Sequence, residues 1–407
     1  MRISTNTIFD VGSNQLGTLQ SGIAKTQMQL STNRKNLTAA DDPIASARAL
    51  EVTQSKSINT QFDVNRQNAR SSLSQVELAL TGTTGLLQDV QTLAISGGDG
   101  ALSPADRESI ATELEGRLND LLGLANTRDG GGGFLFAGFR ATTVPFTQTG
   151  TGAQYHGDQG QRLLQVGSSR QIAISDSGAS IFENNPTGNG TFETRAAATN
   201  TGDGVIDAGA VANAALLNGR DYNYVVAFTV VNGQSSYTVT DTLPSPPVLV
   251  VPSTPFQSGQ QLSFDGAAFD IRGNPADGDT FTVVPSHNQS IFETLTSLIS
   301  TLRQPAGGAA GQAALTNGLN KAHDNLNSAL DNVLSVRASI GSRLKELDYL
   351  DSSGQDLDVQ YATTLSQLED LDVVKAISLF TQQQNTLEAA QKSFKTMSGL
   401  SLFNYIS

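Results

Sequence analysis

No cysteine occurs in the 407 residues, so disulfides, thiolate metal sites and thiol nucleophiles are excluded, and either redox compartment fits. Charged side chains make up only 15% and aromatics 6%, which describes a soluble chain whose surface is polar more than charged. Histidine is nearly absent: His156, His287 and His323 stand far apart in unrelated contexts and read as ordinary polar residues. No GxSxG, HExxH or phosphate-loop pattern exists. No catalytic, cofactor-binding or metal-binding residue is therefore expected, and neither is an enzyme. The first 30 residues lack the apolar run of a secretory signal, and no stretch approaches the roughly 18 apolar residues of a membrane span. A net charge of −13 repels phosphate backbones and anionic lipid, so neither nucleic acid nor a membrane is an expected partner.

What the chain does have is helix-period patterning at both ends. Residues from about 5 to 38 and from about 356 to 398 each read as a long helix, while about 172 to 285 reads as β. At the first end Leu16, Leu19, Ile23, Leu30 and Leu37 share one heptad stripe, interrupted by Thr26 and Asn33. At the last, Ile377, Phe380, Leu387 and Phe394 do the same, interrupted by Gln384 and Gln391. Such stripes are too thin and too polar to hold an isolated helix. Gly12, Gly17 and Gly22 weaken the first further, each by about 1 kcal/mol relative to alanine. The two ends should fold against each other and against other copies, with Gln384 and Gln391 as amides that set register at a cost in stability.

Between the ends the punctuation is clear. Asp42 and Pro43 supply a helix restart, Gly97-Gly98 an end, and Ser103 before Pro104 another start; Gly130 to Gly133 then read as a turn. Leu315, Leu319, Ala322, Leu326, Ala329, Val333, Val336, Ile340, Leu347 and Leu350 keep a four-three alternation that must pack on the upstream helices. Short strands at 224–231, 236–240, 248–251, 261–264 and 280–284 are separated by turn residues, among which Asn232-Gly233 is a strong hairpin signal. Helix pattern on both sides makes the β part an insertion carried by a helical rod. Asp203, Asp207, Asp277 and Asp279 lie near glycines without calcium-loop spacing and read as turn formers. Residues 171–285 hold 11 acidic and 3 basic side chains, −8 of the total, so this segment is expected to face solvent.

Both ends resemble the flagellin superfamily. The stretches that carry the resemblance are Gln29-Leu30-Ser31-Thr32-Asn33-Arg34-Lys35, then Ala39-Ala40-Asp41-Asp42-Pro43-Ile44-Ala45, and Gln382-Gln383-Gln384-Asn385-Thr386-Leu387-Glu388-Ala389-Ala390-Gln391. Asn33 stands where the superfamily more often has glycine. In the middle, Gly133-Phe134-Leu135-Phe136-Ala137-Gly138, Val144-Pro145-Phe146, Tyr155-His156-Gly157-Asp158 and Gln289-Ser290-Ile291-Phe292-Glu293-Thr294-Leu295 resemble the branch that joins hook to filament. Residues 1–175 and 285–407 are covered by the likeness.

The resemblance implies a non-enzymatic subunit exported from the cytoplasm by the flagellar type III apparatus without a cleaved signal peptide. It implies four kinds of partner: like subunits in a ring, the first hook-associated protein on the hook side, flagellin on the filament side, and a cytosolic export chaperone at the C-terminal region. The expected fold is α+β and multidomain, a long antiparallel helical rod or coiled coil formed by both chain ends with an inserted all-β domain. Expected domains are 1–42 with 358–407 for assembly, disordered in the monomer; 43–171 with 286–357 as a helical rod carrying a β-hairpin; and 172–285 as the β insertion. The expected assembly interface is Leu16, Leu19, Ile23 and Leu30 with Ile377, Phe380, Gln384, Leu387, Gln391 and Phe394. Filament flagellin itself is an alternative of the same superfamily. A glycan-binding adhesin using Tyr222 or Tyr224 of the β insertion is an alternative of another class.

Overall fold

In the computed structural model, which describes residues 5–399, both ends of the chain are helical and the centre is an antiparallel β domain. The helices are α1 (Thr5–Thr32), α2 (Pro43–Gly97), α3 (Pro104–Ala125), the single turn α4 (Ala214–Leu217), α5 (Ile291–Arg303), α6 (Gly308–Glu369) and α7 (Val373–Gly399). The described chain falls into two units, one holding residues 5–64 and 349–399, the other residues 65–348, and α2 and α6 have residues in both.

In the larger unit the expected restart at Ser103 is real. The Ser103 side chain accepts the Asp106 N–H, Asp106 accepts the Ser103 N–H at 3.0 Å, and Pro104 begins α3. That closes a capping box, which satisfies two orphan donors at once. The long four-three stripe of α6 is core: Leu315, Leu319, Ala322, Leu326, Ala329, Val333, Ile340 and Leu347 are buried, while Val336 and Leu350 are half-buried. Leu73, Val76, Leu80, Leu87 and Val90 of α2 and Leu114, Leu118 and Leu121 of α3 are buried as well.

Two hairpins follow α3: β1 (Phe146–Thr149) with β2 (Gly152–Tyr155), and β3 (Leu163–Gly167) with β4 (Arg170–Ala173). The motif 134–137 that leads into them is buried throughout. Phe136, Phe146, Phe182 and Phe292 form a chain of ring contacts with centroids 5.1–6.0 Å apart. Tyr155 locks this knot by donating toward the Phe136 and Asp158 carbonyls at 2.9 and 2.7 Å. Ser290 caps α5 by accepting the Phe292 N–H at 3.1 Å, which places Phe292 in the same knot.

After the short β5 (Asn185–Pro186), the β domain contains β6 (Phe192–Ala196), β7 (Val205–Ile206), β8 (Ala210–Val211), β9 (Tyr224–Val231), β10 (Gln234–Asp241), β11 (Val248–Pro255), β12 (Gln261–Phe264), β13 (Ala267–Arg272) and β14 (Thr280–Pro285); β15 (Asn288–Gln289) returns to pair with β5. One sheet runs β11-β10-β9-β14-β6, the other β12-β13-β7 with β8 also on β13. Asn232 and Gly233, at φ 52° and 78°, make the two-residue turn between β9 and β10, with Val231 paired to Gln234. Both positive angles suit a hairpin whose turn must match the strand twist. The short strands β6, β7, β8 and β13 carried no sequence signal because their pairing partners, not their composition, make them strands.

Three of the four aspartates tie turns and loops, whereas Asp207 accepts the Asp270 N–H of β13 at 3.0 Å and so extends strand pairing. Asp279 accepts the Thr201, Gly202 and Ala276 N–H groups at 2.8–3.0 Å, Asp277 accepts the Val230 N–H at 3.0 Å, and Asp203 accepts the Asn274 N–H. Tyr222 and Tyr224 correct a further expectation. They are buried in the domain core, stacked with centroids 4.8 Å apart, and cannot offer a sugar-binding face. Apolar periodicity alone does not distinguish an exposed tyrosine from a core one.

Candidate assembly interface

The smaller unit brings the two ends of the chain together. Asp372 caps α7, its carboxylate accepting the Lys375 N–H at 3.0 Å, and Asp42 caps α2 in the same way at Ala45. The C-terminal helical pattern, expected to be continuous from about 356, is broken at residues 370–372 between α6 and α7. The break is a docking point for the other end. Lys35 N–H donates to the Glu369 carbonyl at 2.7 Å, Leu371 N–H donates to the Asn33 carbonyl at 3.2 Å, and Arg34 pairs with Glu369 at 3.4 Å. Asn33 sits at φ 53°, the left-handed region that asparagine tolerates nearly as glycine does, so its presence ends α1 without strain on the turn.

The turn after α1 is tied by one carboxylate. Asp41 accepts a 2.5 Å bond from Lys25 Nζ and the N–H groups of Thr38 and Leu37, both at 3.0 Å. The Lys25 bond, then the backbone bonds, hold its carboxyl down at about 2.

Helices α1 and α7 pack antiparallel. Gly12 opens a socket at Phe394, where an added Cβ would lie 2.7 Å from the ring, and Phe9 packs against that ring at a 47° tilt with centroids 5.1 Å apart. Leu16, Leu19, Ile23 and Leu30 line the α1 side and Phe380, Leu387 and Phe394 the α7 side, all of them half-buried. At the centre Thr26, 3% exposed, donates its hydroxyl toward Gln383 Oε1 at 2.9 Å and also lies 3.1 Å from the Gly22 carbonyl.

The inner stripe of α7 is therefore Ala376, Phe380, Gln383, Leu387, Ala390 and Phe394. Ile377, Gln384 and Gln391, expected at the interface, stand one residue further round, about 100° on. Ile377 is 53% exposed and both amides are exposed. Val374 and Leu379 of α7 are exposed as well, as are Val11 and Met28 of α1. Thr26 stands on the stripe where periodicity puts it, whereas Gly12 and Gln383 carry no such signal; the glycine spacing is visible in the sequence, but its use as a ring socket depends on the partner helix.

Among the described residues no group of three or more potential metal ligands converges, and no helix is long and apolar enough to cross a membrane. What the arrangement can do is pack.

Three comparisons bear on what it packs with. The bacterial flagellin N-terminal helical region matches residues 3–141. Flagellar hook-associated protein 3 of Salmonella typhimurium is 28% identical over 404 residues, 99% of each chain. Among solved structures, flagellar hook associated protein-3 of Legionella pneumophila is 31% identical with a TM-score of 0.74, covering 78% of this chain and 98% of that one. A second Legionella pneumophila structure, described as a flagellar junction protein, is 31% identical with a TM-score of 0.72, covering 79% and 100%.

Proposed function

The chain belongs to the family of flagellar hook-associated protein 3, and from that premise we propose that it is a structural, non-enzymatic piece that joins hook to filament through its terminal helices. The observation that carries this reading is the unfinished state of the α1–α7 pair. No large apolar residue on its seam is fully buried: Leu16, Leu19, Ile23, Leu30, Phe380, Leu387 and Phe394 are half-buried and Phe9 is exposed, as are Val11, Met28, Val374, Ile377 and Leu379. Ordering backbone costs about 1–2 kcal/mol per residue, and a seam this thin does not offset that for two helices of 28 and 27 residues.

In a lone chain both ends are therefore disordered; on incorporation they order by packing their outward residues against like copies. Gln384 and Gln391 then hydrogen-bond across copies, where amides discriminate between registers. The hook-side neighbour is the first hook-associated protein, the filament-side neighbour is flagellin, and a cytosolic chaperone covers the C-terminal region before export. The subunit is exported from the cytoplasm and acts outside the cell.

Two experiments test this. Cells without the chain should build complete hooks and shed unpolymerised flagellin, and normal filaments on those cells would refute the junction role. Mild proteolysis of the purified chain should trim both ends and spare a core near residues 45–355. Ends that survive would refute folding on incorporation.

A further inference from the structure

Asn-Gly occurs four times, at 189–190, 218–219, 232–233 and 317–318. This dipeptide is prone to spontaneous deamidation, because glycine has no Cβ to crowd the approach of its own backbone nitrogen to the preceding side-chain amide. That nitrogen, once deprotonated, attacks Cγ of the asparagine. The new C–N bond closes a five-membered succinimide as the C–NH2 bond breaks and ammonia leaves. Water then opens either carbonyl of the ring, giving aspartate or isoaspartate, with no change of oxidation state.

The fold treats the four pairs differently. Asn317 donates from Nδ2 to the Gly204 carbonyl at 3.0 Å and accepts the Ile206 N–H at 3.0 Å, while Gly318 lies inside α6, its nitrogen committed to the helix. Asn189 accepts the Thr191 and Phe192 N–H groups at 3.1 and 3.0 Å and donates toward the Ala208 and Gly209 carbonyls; the Gly190 N–H is also engaged, with Thr187. In both, the electrophile is clamped and the nucleophile occupied. At the other two, both residues are exposed, and an added Cβ on Gly219 or Gly233 would meet nothing within 4 Å.

We propose that Asn232, together with Asn218, is a site of spontaneous deamidation in the folded protein, and that the hydrogen bonds on Asn189 and Asn317 keep those two inert. The consequence is local and electrostatic. Residues 222–264 contain one charged side chain, Asp241, and it is buried. Conversion of Asn232 thus places the first exposed charge on the segment that forms β9, β10 and β11, next to exposed Val231. The isoaspartate product also adds a backbone methylene to the two-residue turn that sets the Val231–Gln234 register.

The test incubates the full chain at mildly alkaline pH, folded and in urea, and follows each peptide by the mass gain of amide-to-acid conversion and by isoaspartate methylation. In urea the four sites should react at similar rates. In the folded chain, Asn218 and Asn232 should keep rates near their urea values. Asn189 and Asn317 should slow by on the order of a hundredfold, the population factor of an opening that costs about 2.8 kcal/mol. Folding that suppresses Asn232 as strongly as Asn317, or that leaves Asn189 or Asn317 within tenfold of Asn232, would overturn the assignment. Gly233→Ala should lower the Asn232 rate alone; an unchanged rate would count against attack by that nitrogen.

Discussion

Thr26→Val is the sharpest probe of the terminal helix pair. Valine keeps the branched shape and a similar helix propensity, so the change deletes one hydroxyl and little else. That hydroxyl is 2.9 Å from Gln383 Oε1 on a residue 3% exposed. A neutral hydrogen bond contributes about 0.5–1.5 kcal/mol net, which corresponds to a rise of about twofold to tenfold in the concentration of free subunit at equilibrium with polymer. Gln383→Leu should cost less, because Thr26 keeps the Gly22 carbonyl at 3.1 Å and leucine adds apolar area to the seam. The double variant Thr26→Val with Gln383→Leu leaves no orphaned group, and its free-subunit concentration should return to about the parent value or below. Its register should loosen, because the polar pair that penalises a slipped alignment is gone. The assay is sedimentation of seeded polymer over a range of total protein. Register is read from pairs of introduced cysteines, which stand alone in a chain that has none. An unchanged free-subunit concentration for Thr26→Val, or a double variant worse than the single, would refute the reasoning.

Removing the α2 cap with Asp42→Ala should destabilise that helix start by about 1 kcal/mol, visible as faster amide exchange over residues 44–46. Leu326→Ala, at a fully buried position of the α6 stripe, should lower stability of the larger unit by about 2–5 kcal/mol in urea titration. Two acids give opposite slopes with pH. Burial pushes Asp324 up to about 6 from an ordinary 3.8, so its folded form holds a proton the unfolded form releases, and stability should rise as pH falls from 7 towards 4; Asp324→Asn should abolish that rise. Burial alone would raise Glu193, but hydrogen bonds from Arg195 and Lys321 override it and hold it at about 2. Its contribution is full above about 4.5 and is lost as pH falls towards 2, a loss that Glu193→Gln should flatten.

Much of this architecture was written in local chemistry. The α6 stripe, the Ser103 and Asp42 caps and the Asn232-Gly233 turn need only near neighbours to act, so periodicity and turn residues sufficed to locate them. Burial of Tyr222 and Tyr224 could not be located that way, because it depends on a second sheet brought from distant sequence. The same holds at the interface. Phe380, Leu387 and Phe394 form a helical stripe equally well with Ala376, Gln383 and Ala390 or with Ile377, Gln384 and Gln391, and in the run Gln382-Gln383-Gln384 the side chains are chemically identical. A helix turns about 100° per residue, so choosing between these stripes means fixing a rotation that nothing within α7 specifies. Gly12 receiving Phe394, Thr26 meeting Gln383, and the strand-like bonds of residues 33–35 to 369–371 decide it from the other end of the chain.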